Sequence, residues 1–503
     1  MLRKVYALLL ATLMALLSCS SFALTEEQMV LAGYDPQETG HDWSNNLFFD
    51  RMAEKTGVSF ELRQFADAEA WRLEKSGWQA GGELPDAVFK AQLSSQETLA
   101  LYERGVLIDL KPYLQEHTPA FWALMQEHPE WLRDITLPDG AVAALPLIDP
   151  LMSQNAMWIN TRWLRALQLS TPTTAEELVE VLRAFASKDP NGNGRADEVP
   201  IAFTGLWDLR FLQHAFGWIS NDYGVTVDGE GQVRDMLTSE ENRAFLTWLH
   251  DLWTEGLLDR TGFTLGSTSR AITDSKATPT YGIVFGPSPM NMLPSEMAAD
   301  YALLMPLTSD STQVYRSLLG EVRRGAFAVT SACRDIPAVL RWVDYLYTED
   351  GCFLARSGLQ GHEYERLSDG TWYWLDSPEM VVDTVMKDMT ISDGTIIPGY
   401  TPVSYSLSFE DEAAKRVMTS LVSLAEISKE AYPQVFLTAA QQARVTELWP
   451  ALTSYAENTM ACFVTGDIAL ADESWNAYAA RVRELGMEEL VDIWQQAYDA
   501  RPQ

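Results

Sequence analysis

The ten residues from Asp189 to Glu198, Asp-Pro-Asn-Gly-Asn-Gly-Arg-Ala-Asp-Glu, carry the most specific chemical pattern in the sequence. Oxygen-bearing side chains stand at positions 1, 3, 5 and 9, glycine stands at position 6, and a backbone carbonyl is available at position 7. This spacing matches the first nine positions of an EF-hand calcium loop, in which oxygen ligands hold a hard cation. Position 12 is Pro200, where an EF-hand has a glutamate, so Glu198 would complete the shell from another direction.

The loop therefore predicts one structural calcium ion. Its expected ligands are five side chains and one backbone carbonyl, from Asp189, Asn191, Asn193, Asp197, Glu198 and, through its carbonyl, Arg195. No open coordination position is implied, so the ion would stiffen the loop and would not take part in a reaction. The alternative is an Asn-Gly-rich surface turn without a metal.

Local catalytic motifs are absent from the sequence. It has no G-x-S-x-G, no H-E-x-x-H, no phosphate-binding G-x-x-x-x-G-K-[ST] and no G-x-G-x-x-G. With 70 Asp and Glu residues, a carboxylate pair at glycosidase spacing stays open, but no local motif singles one out. A binding protein is therefore expected, and an enzyme is not.

Charge and cysteine content exclude several other classes. The 37 Lys and Arg against 70 Asp and Glu give a formal charge of -33, which argues against binding to nucleic acid or to anionic membranes. The four cysteines include no C-x-x-C pair, which excludes zinc ribbons. A helix is expected between Cys333 and Cys352. It would separate them by about 20 Å, and a disulfide needs Cα atoms within about 7 Å, so these two should not pair.

The first residues predict export. Arg3 and Lys4 precede an apolar run from Val5 to Leu17, which is the pattern of a signal peptide covering residues 1–23. Leu-Leu-Ser-Cys, ending at Cys19, resembles a bacterial lipobox and predicts lipidation of that cysteine. Ser21-Phe22-Ala23 also fits ordinary signal peptidase, which would release the chain. The expected location is extracytoplasmic, with membrane contact through a lipid anchor only.

Strand and helix patterns alternate beyond the signal. A short apolar run ending at Gly33, a helix over about 43–56 and an alternating strand over 58–63 predict a β-α-β unit, and 84–89 predicts a third strand. Such alternation favours parallel sheets with helices on both faces, and their ligands lie beyond the carboxyl ends of the strands. Thr173 or Thr174 should cap a helix whose first turn is acidic.

Four segments in this order resemble the extracellular solute-binding proteins of ATP-driven sugar importers. They are Leu137–Leu147, Met157–Leu178, Ala244–Asp259 and Ala326–Gly351. The 189–198 loop is also similar to the calcium loop of longer oligosaccharide-binding members of that family. Val142-Ala143 departs from the family pattern, which has an aromatic residue there, and this puts an aromatic contact at that point in doubt.

The resemblance implies an α/β fold with two lobes, the type II periplasmic-binding-protein fold, and a ligand cleft between them. The implied lobes are 25–152 with 307–355, and 153–306 with 356–503. The implied function is to bind an oligosaccharide or related saccharide and deliver it, as a monomer, to the permease of an ABC importer. A polysaccharide-degrading enzyme, and a peptide or other small-molecule binder on the same scaffold, are the alternatives.

Candidate ligand contacts follow apparent strand ends. A sugar cleft needs aromatic platforms with polar groups around them, since sugar C–H faces stack on aromatic rings. Where many sugar binders have an aromatic residue after a Gly-Pro, this chain has Ser288, and Arg323 could meet an acidic sugar group. The full set is Tyr34, Asp35, Phe89, Lys90, Trp207, Asp208, Ser288, Asn291 and Arg323.

Overall fold

A computed structural model describes most of the chain. The described residues are 28–151, 155–264, 280–291, 293–308, 313–317, 320–375, 382–409 and 412–502. The predicted signal peptide, 1–23, and the predicted lipidation site, Cys19, lie outside these residues. Across the described ranges, no helix has the length and apolar character needed to span a bilayer.

Strands form two main sheets and three short ribbons. They are β1 Val30–Tyr34, β2 Glu61–Phe65, β3 Ala87–Phe89, β4 Leu145–Ile148, β5 Ala156–Asn160, β6 Val199–Ile201, β7 Val225–Val227, β8 Val233–Asp235, β9 Tyr281–Gly286, β10 Tyr301–Leu304, β11 Tyr315–Ser317, β12 Val322–Val329, β13 Tyr364–Arg366, β14 Trp372–Trp374, β15 Gly399–Tyr400 and β16 Ser428–Glu430.

Helices surround these sheets. They are α1 Leu47–Thr56, α2 Ala68–Gln79, α3 Ser95–Glu103, α4 Lys111–His117, α5 Pro119–Glu127, α6 Pro129–Ile135, α7 Thr161–Ala166, α8 Ala175–Ser187, α9 Gly205–Leu209, α10 Glu240–Thr254, α11 Ser295–Ala298, α12 Ile336–Asp344, α13 Glu349–Arg356, α14 Val382–Asp388, α15 Val403–Leu407, α16 Glu412–Ala425, α17 Ala439–Thr465, α18 Asp472–Glu484 and α19 Met487–Asp499. Four 3-10 segments, Gln37–Thr39, Arg210–Phe216, Pro289–Asn291 and Tyr345–Tyr347, complete them.

The first lobe is built on a six-stranded sheet in the order β15-β4-β12-β3-β1-β2. β1 runs parallel to β2 and β3, and β12 runs antiparallel to both β3 and β4. Alternate residues of β3 enter different cores: Ala87 and Phe89 face one, and Val88 faces the other. Helices therefore cover both faces of the sheet, as predicted, but the prediction of purely parallel sheets is wrong.

The second lobe is built on a four-stranded sheet in the order β10-β5-β9-β6. β5 is antiparallel to both of its neighbours, and β6 is parallel to β9. One large apolar core joins this sheet to helices α8, α10, α17, α18 and α19. Thr174 caps α8 by accepting a hydrogen bond from the Glu177 N–H at 3.2 Å, as predicted.

Two lobe assignments expected from the sequence are corrected by the strand pairing. β15 lies within the predicted second-lobe range 356–503 but pairs with β4 of the first sheet, and Ile391 and Ile397 are buried in the first core. β11 lies within the predicted first-lobe range 307–355 but pairs with β16, and its Tyr315 is buried in the second core. Both segments follow their apolar side chains into the core that buries them.

The expected helix between Cys333 and Cys352 is interrupted. α12 ends at Asp344, and Thr348 starts α13 by accepting a hydrogen bond from the Gly351 N–H at 3.0 Å. Both cysteines are free in this structure.

Candidate functional site

The two lobes meet at the edge of the first sheet where β1 and β3 end. β12 is antiparallel to β3, and β4 is antiparallel to β12, so the carboxyl end of β4 lies at this same edge. From there the chain crosses to β5 in the second sheet. The Gln434 side chain also donates to the Val322 carbonyl at 2.7 Å. Ligands of α/β sheets bind beyond the carboxyl ends of strands, so this edge is the candidate site.

Asp35 and Lys90, the first residues after β1 and β3, are fully buried and paired with each other. The Lys90 Nζ lies 2.9 Å from Asp35 Oδ1, and both side chains are 0% exposed. The Lys90 ammonium also donates to the carbonyls of Ile391 at 3.0 Å and Asp393 at 2.6 Å. These three partners use all three of its N–H donors. In this conformation neither residue can make the ligand contact predicted for it.

His41 and Trp43 complete the surroundings of Asp35. His41 Nδ1 lies 2.8 Å from Asp35 Oδ2, and the Trp43 indole N–H donates to the same oxygen at 2.9 Å. Burial alone would raise the pKa of Asp35, but the hydrogen bond from His41, the Lys90 charge and the hydrogen bond from Trp43 outweigh it and lower the pKa. Asp35 is therefore held as a carboxylate that organises three side chains around it.

This buried cluster fastens residues 386–396, here called the strap, across the ends of β1 and β3. His41 Nε2 lies 3.0 Å from the Met386 carbonyl. Asn46 donates from its amide to the carbonyls of residues 387 and 390, at 3.0 and 2.8 Å. The Thr395 hydroxyl donates to the Tyr34 carbonyl at 2.8 Å. The strap is thus held at several points by polar groups of the first lobe.

Phe89 is a core residue and not a ligand platform, which corrects the prediction for it. Its side chain is 0% exposed and packs against the rings of Trp43, Phe48 and Trp342. The reason is the alternation along β3, which turns Phe89 toward helices α1 and α12. Tyr34, at the end of β1, keeps a partly exposed side chain at the sheet edge.

Trp207 is a large apolar side chain that is exposed to solvent. It is 42% exposed, on the short helix α9 of the second lobe. The guanidinium carbon of Arg316 lies 5.9 Å from the centre of its ring, and the Phe211 ring packs edge-on at 6.4 Å. Because Arg316 is 0% exposed and donates to Asp222 at 3.1 Å, it supports the indole from beneath. The exposed part of the indole can stack on a sugar ring.

Asp208 is buried and positions α9, so its predicted ligand contact is not met in this conformation. Its carboxylate accepts hydrogen bonds from the Thr204 N–H at 2.7 Å, from the Thr204 hydroxyl at 2.9 Å and from the Asn155 amide. Burial raises the pKa of Asp208, and the hydrogen bonds from Thr204 and Asn155 oppose that rise. Asn155 lies on the segment that crosses between the sheets, so Asp208 ties α9, and with it Trp207, to the crossing.

The remaining predicted contacts lie in the loop after β9 and at the start of β12. Ser288 is partly exposed, and its hydroxyl accepts from the Met290 N–H at 3.2 Å. Asn291 ends the 3-10 segment Pro289–Asn291. Arg323 has an exposed side chain beside β4, opposite Leu147 in the strand register. These three positions stay predictions.

The predicted calcium loop folds around Asp189. One Asp189 oxygen accepts from the Asn193 N–H at 3.0 Å, and the other accepts from the Gly194 N–H at 2.8 Å. The Asn193 amide donates to both Asp197 oxygens, at 3.0 and 3.1 Å. Gly192 and Gly194 both have positive φ, +73° and +74°, which a residue with a side chain would adopt only under strain.

Glu198 is the residue of this loop that has an unsatisfied buried oxygen atom. Its Oε1 is buried and has no hydrogen-bond partner. Burial raises the pKa of this carboxyl, and the charges of Asp197 and Asp189 raise it further. A cation would neutralise this repulsion, so the residues fit calcium. Nevertheless, no group of three or more His, Cys, Asp or Glu side chains in the described part of the chain is arranged to hold a metal.

Comparisons with known proteins place this fold. No family model matches the chain. The "HMO binding ABC-transporter associated Solute Binding Protein" of Bifidobacterium longum infantis superposes with a TM-score of 0.78 at 22% identity, over 94% of this chain and 98% of its own. The chain has the two-lobed fold of extracellular solute-binding proteins. The fold class expected from the sequence, and the resemblance behind it, are confirmed.

Two further likenesses concern one solute-binding protein. The fructooligosaccharide ABC transporter substrate-binding protein FusA of Streptococcus pneumoniae is 25% identical over 485 residues, 91% of this chain and 87% of FusA. The structure of an EF-hand mutant of FusA in complex with fructo-nystose superposes with a TM-score of 0.68 at 22% identity, over 94% of this chain and 98% of that one.

Several residues of this solute-binding fold were missed by the sequence analysis. His41, Trp43 and Arg316 stand outside the strand ends: His41 and Trp43 contact Asp35, and Arg316 lies against the Trp207 ring. An aspartate and a lysine that each directly follow a short apolar strand were a usable signal. Two opposite charges at one sheet edge suggest mutual pairing as readily as two ligand contacts.

Proposed function

We propose that this protein is the exported solute-binding component of an ABC importer and that it captures an oligosaccharide or a related saccharide. The fold and the relative that matches most of the chain at 25% identity support this proposal. The observation that carries the saccharide assignment is Trp207, an exposed indole with a buried cation against its ring, on the helix that Asp208 ties to the crossing between the sheets. A saccharide offers apolar C–H faces for such a ring and hydroxyls for the polar groups beside it.

The work of such a protein is a difference in affinity between two states. A ligand that contacts both lobes favours the closed arrangement, and the closed arrangement docks on a permease. Ligand contact in the second lobe rests on Trp207, and in the first lobe on the partly exposed Tyr34 and the residues beside it. No covalent chemistry is needed for this cycle.

Calcium is a structural partner in this proposal. The side chains of Asp189, Asn191, Asn193, Asp197 and Glu198, with the Arg195 carbonyl, would hold the ion. The unpartnered, buried Glu198 oxygen supports it, and FusA, whose EF-hand mutant has been solved, shows that a relative has such a motif. The ion would fix the loop between α8 and β6 and supply no catalytic group.

The mature protein is proposed to act outside the cytoplasm as a monomer, lipid-anchored through Cys19. The apolar run and the Leu-Leu-Ser-Cys sequence before it support this part of the proposal. A lipid anchor would keep the binding protein close to its permease at the membrane.

The test is calorimetric titration with a panel of oligosaccharides, followed by recovery of each glycan. The proposal expects saturable binding of at least one saccharide and its recovery intact. Recovery of shortened glycans would show that the protein is a polysaccharide-degrading enzyme and not a binding protein. Binding of peptides or other solutes without any saccharide would keep the scaffold and overturn the sugar assignment.

A further inference from the structure

The strap carries three exposed charged residues, Lys387, Asp388 and Asp393, of which Asp393 lies beside the end of β3. Asp393 is exposed, while its own carbonyl is fixed by Lys90 at 2.6 Å. Gly394 follows with φ at +81°, and a Cβ there would lie 2.5 Å from the Thr39 methyl group. The turn that presents Asp393 is therefore shaped by close contact with the first lobe.

The surroundings of Tyr34 have the same sign of charge as Asp393. The pKa of its phenol is raised by burial first, and then by the charges of Glu38, Asp67 and Asp35. Glu38 and Asp67 are both exposed. Lys90, the cation nearest to these groups in the strap cluster, has no donor left, because Asp35 and two strap carbonyls occupy its ammonium group. At the end of β3, the exposed Asp393 is thus available to a ligand and the buried Lys90 is not; the strap's exposed lysine, Lys387, has its side-chain stem packed over Gly40.

We propose that the buried Asp35–His41–Lys90 cluster is a positioning device that holds the strap as the first-lobe wall of the cleft. We propose also that this wall, through Asp393, recognises the hydroxyls of a neutral saccharide and disfavours a uronate. Asp393 acts on the ligand directly. Lys90 acts through the strap and is a positioning residue.

Charge and hydrogen bonding give the reason for this selectivity. A carboxylate accepts hydrogen bonds from hydroxyl groups strongly, because the acceptor is ionised. A ligand carboxylate brought to the same wall would meet like charges, which raise its free energy of binding. Arg323, exposed at the start of β12, is the group through which an acidic sugar would have to be accommodated instead.

This inference rests on the proposed function, but its first test needs no ligand. Lys90→Met and the double variant Asp35→Asn/Lys90→Met are compared with the unaltered protein by amide hydrogen exchange, peptide by peptide. We expect strap peptides to lose at least tenfold in protection while peptides of the second-lobe helices α17 and α19 keep theirs. The double variant leaves no unpaired buried charge, so it reports on the strap even if the single variant does not fold. Unchanged strap protection in the double variant would overturn the positioning role.

The second test uses neutral and uronate oligosaccharides of equal length. Asp393→Asn removes the charge from the proposed wall, and Asp383→Asn, an exposed carboxylate on α14, is the matched control. We expect Asp393→Asn to reduce the affinity for the neutral oligosaccharide at least tenfold and to reduce the ratio of that affinity to the affinity for the uronate. The control variant should leave both affinities unchanged. The Asp35→Asn/Lys90→Met double variant, in which the strap should be loosened, should also bind the neutral oligosaccharide more weakly.

The outcomes separate the two proposals. If the strap is loosened but the affinity for the neutral saccharide is unchanged, the strap is not a wall of the cleft, and the inference fails while the proposed function stands. If the uronate binds more tightly and Arg323→Ala abolishes its binding, the selectivity is the reverse of the one proposed. If no saccharide binds at all, the proposed function fails, and the exchange result alone decides the positioning role.

Discussion

Trp207 is the single residue whose truncation should reduce ligand affinity most selectively. Removing an aromatic anchor from a binding site commonly costs about 2 kcal/mol or more, which is roughly a thirtyfold rise in Kd. Because its indole is 42% exposed, the Trp207→Ala variant should keep a melting temperature close to that of the unaltered protein. Titration calorimetry and thermal unfolding measure the two effects.

Trp342→Ala is the matched control for that experiment. Its side chain is 1% exposed in the core of the first lobe, so truncation should cost about 3–5 kcal/mol of unfolding free energy. A Trp207→Ala variant that lost stability but kept its affinity would show that the indole serves packing instead.

At the same scale, Asp35, Phe89 and Lys90 show what strand ends do and do not predict. The position of all three at the sheet edge could be inferred from short apolar runs followed by polar residues. Which way each side chain points could not, because the strap that covers them lies some 300 residues away in sequence. Local periodicity does not encode such a contact, and the two predicted ligand contacts Asp35 and Lys90 instead form one buried ion pair with each other.

The loop 189–198 is the element at which removal of a bound calcium ion should lower the stability of the protein. Ligation of the folded state alone adds about 2.7 kcal/mol at a hundredfold excess of ligand over Kd. A chelator should therefore lower the melting temperature, and Asp189→Ala with Asp197→Ala should abolish the difference. Asp228→Ala is the control, since Asp228 holds a similar Asp-Gly turn through the N–H groups of Glu230 and Gln232. If neither the chelator nor the loop variant changes the melting curve, the loop is a surface turn that binds no metal.

In the metal-free protein, Glu198→Gln should raise the free energy of unfolding, which is the opposite of the loss of stability expected when calcium is removed. One oxygen of the Glu198 carboxylate is buried without a hydrogen-bond partner, and the carboxylate is repelled by Asp197 and Asp189, so neutralising it should raise the unfolding free energy by about 1 kcal/mol. With calcium present, the same change should lower stability, because a ligand is lost. Denaturant titrations with and without calcium measure both signs, and equal effects in the two conditions would contradict the metal site.

The contact between β16 and the first lobe should make stability depend on pH. Burial raises the pKa of Glu430 to about 7; Asp134 and Glu321 add to the rise, and Arg501 and Arg324 oppose it. Because the folded-state pKa exceeds the ordinary value of 4.5, the folded protein holds this proton more tightly. Its contribution is full below about 4.5 and is lost as pH rises through about 7.

Replacing Glu430 isolates that contribution. Unfolding free energy should fall by up to about 3 kcal/mol across this window, at about 1.4 kcal/mol per pKa unit. Glu430→Gln should remove most of the fall. Denaturant titrations at several pH values measure it, and a Gln variant with the same pH profile as the unaltered protein would contradict the assignment.

For the whole molecule, the sequence predicted the two-lobed architecture through four segments in family order, and the first β-α-β unit through its periodicity. It misplaced β11 and β15, because the chain crosses between lobes more than once: β15 adds to the edge of the first sheet, and β11 pairs with β16 beside the second core. Such crossings are long-range events that composition and local pattern do not report. The calcium site predicted at 189–198, whose candidate ligands are local in sequence, stays a prediction.

Export and anchoring also belong to the whole molecule. The mature protein should begin at Cys19 and sediment with membranes, since two acyl chains on one cysteine give stable attachment. Cys19→Ala should release the protein or leave it unprocessed. Intact-mass measurement of the mature chain decides this, and a start at Leu24 would favour ordinary signal peptidase.

The central claim is that a saccharide closes the two lobes around the cleft that Trp207 borders. Small-angle scattering of the purified protein, with and without the saccharide that binds in the calorimetric panel, tests it most directly. We expect a smaller radius of gyration at saturating ligand, and, for Trp207→Ala, the same decrease only at correspondingly higher ligand concentration. An unchanged radius of gyration at proven saturation would contradict it.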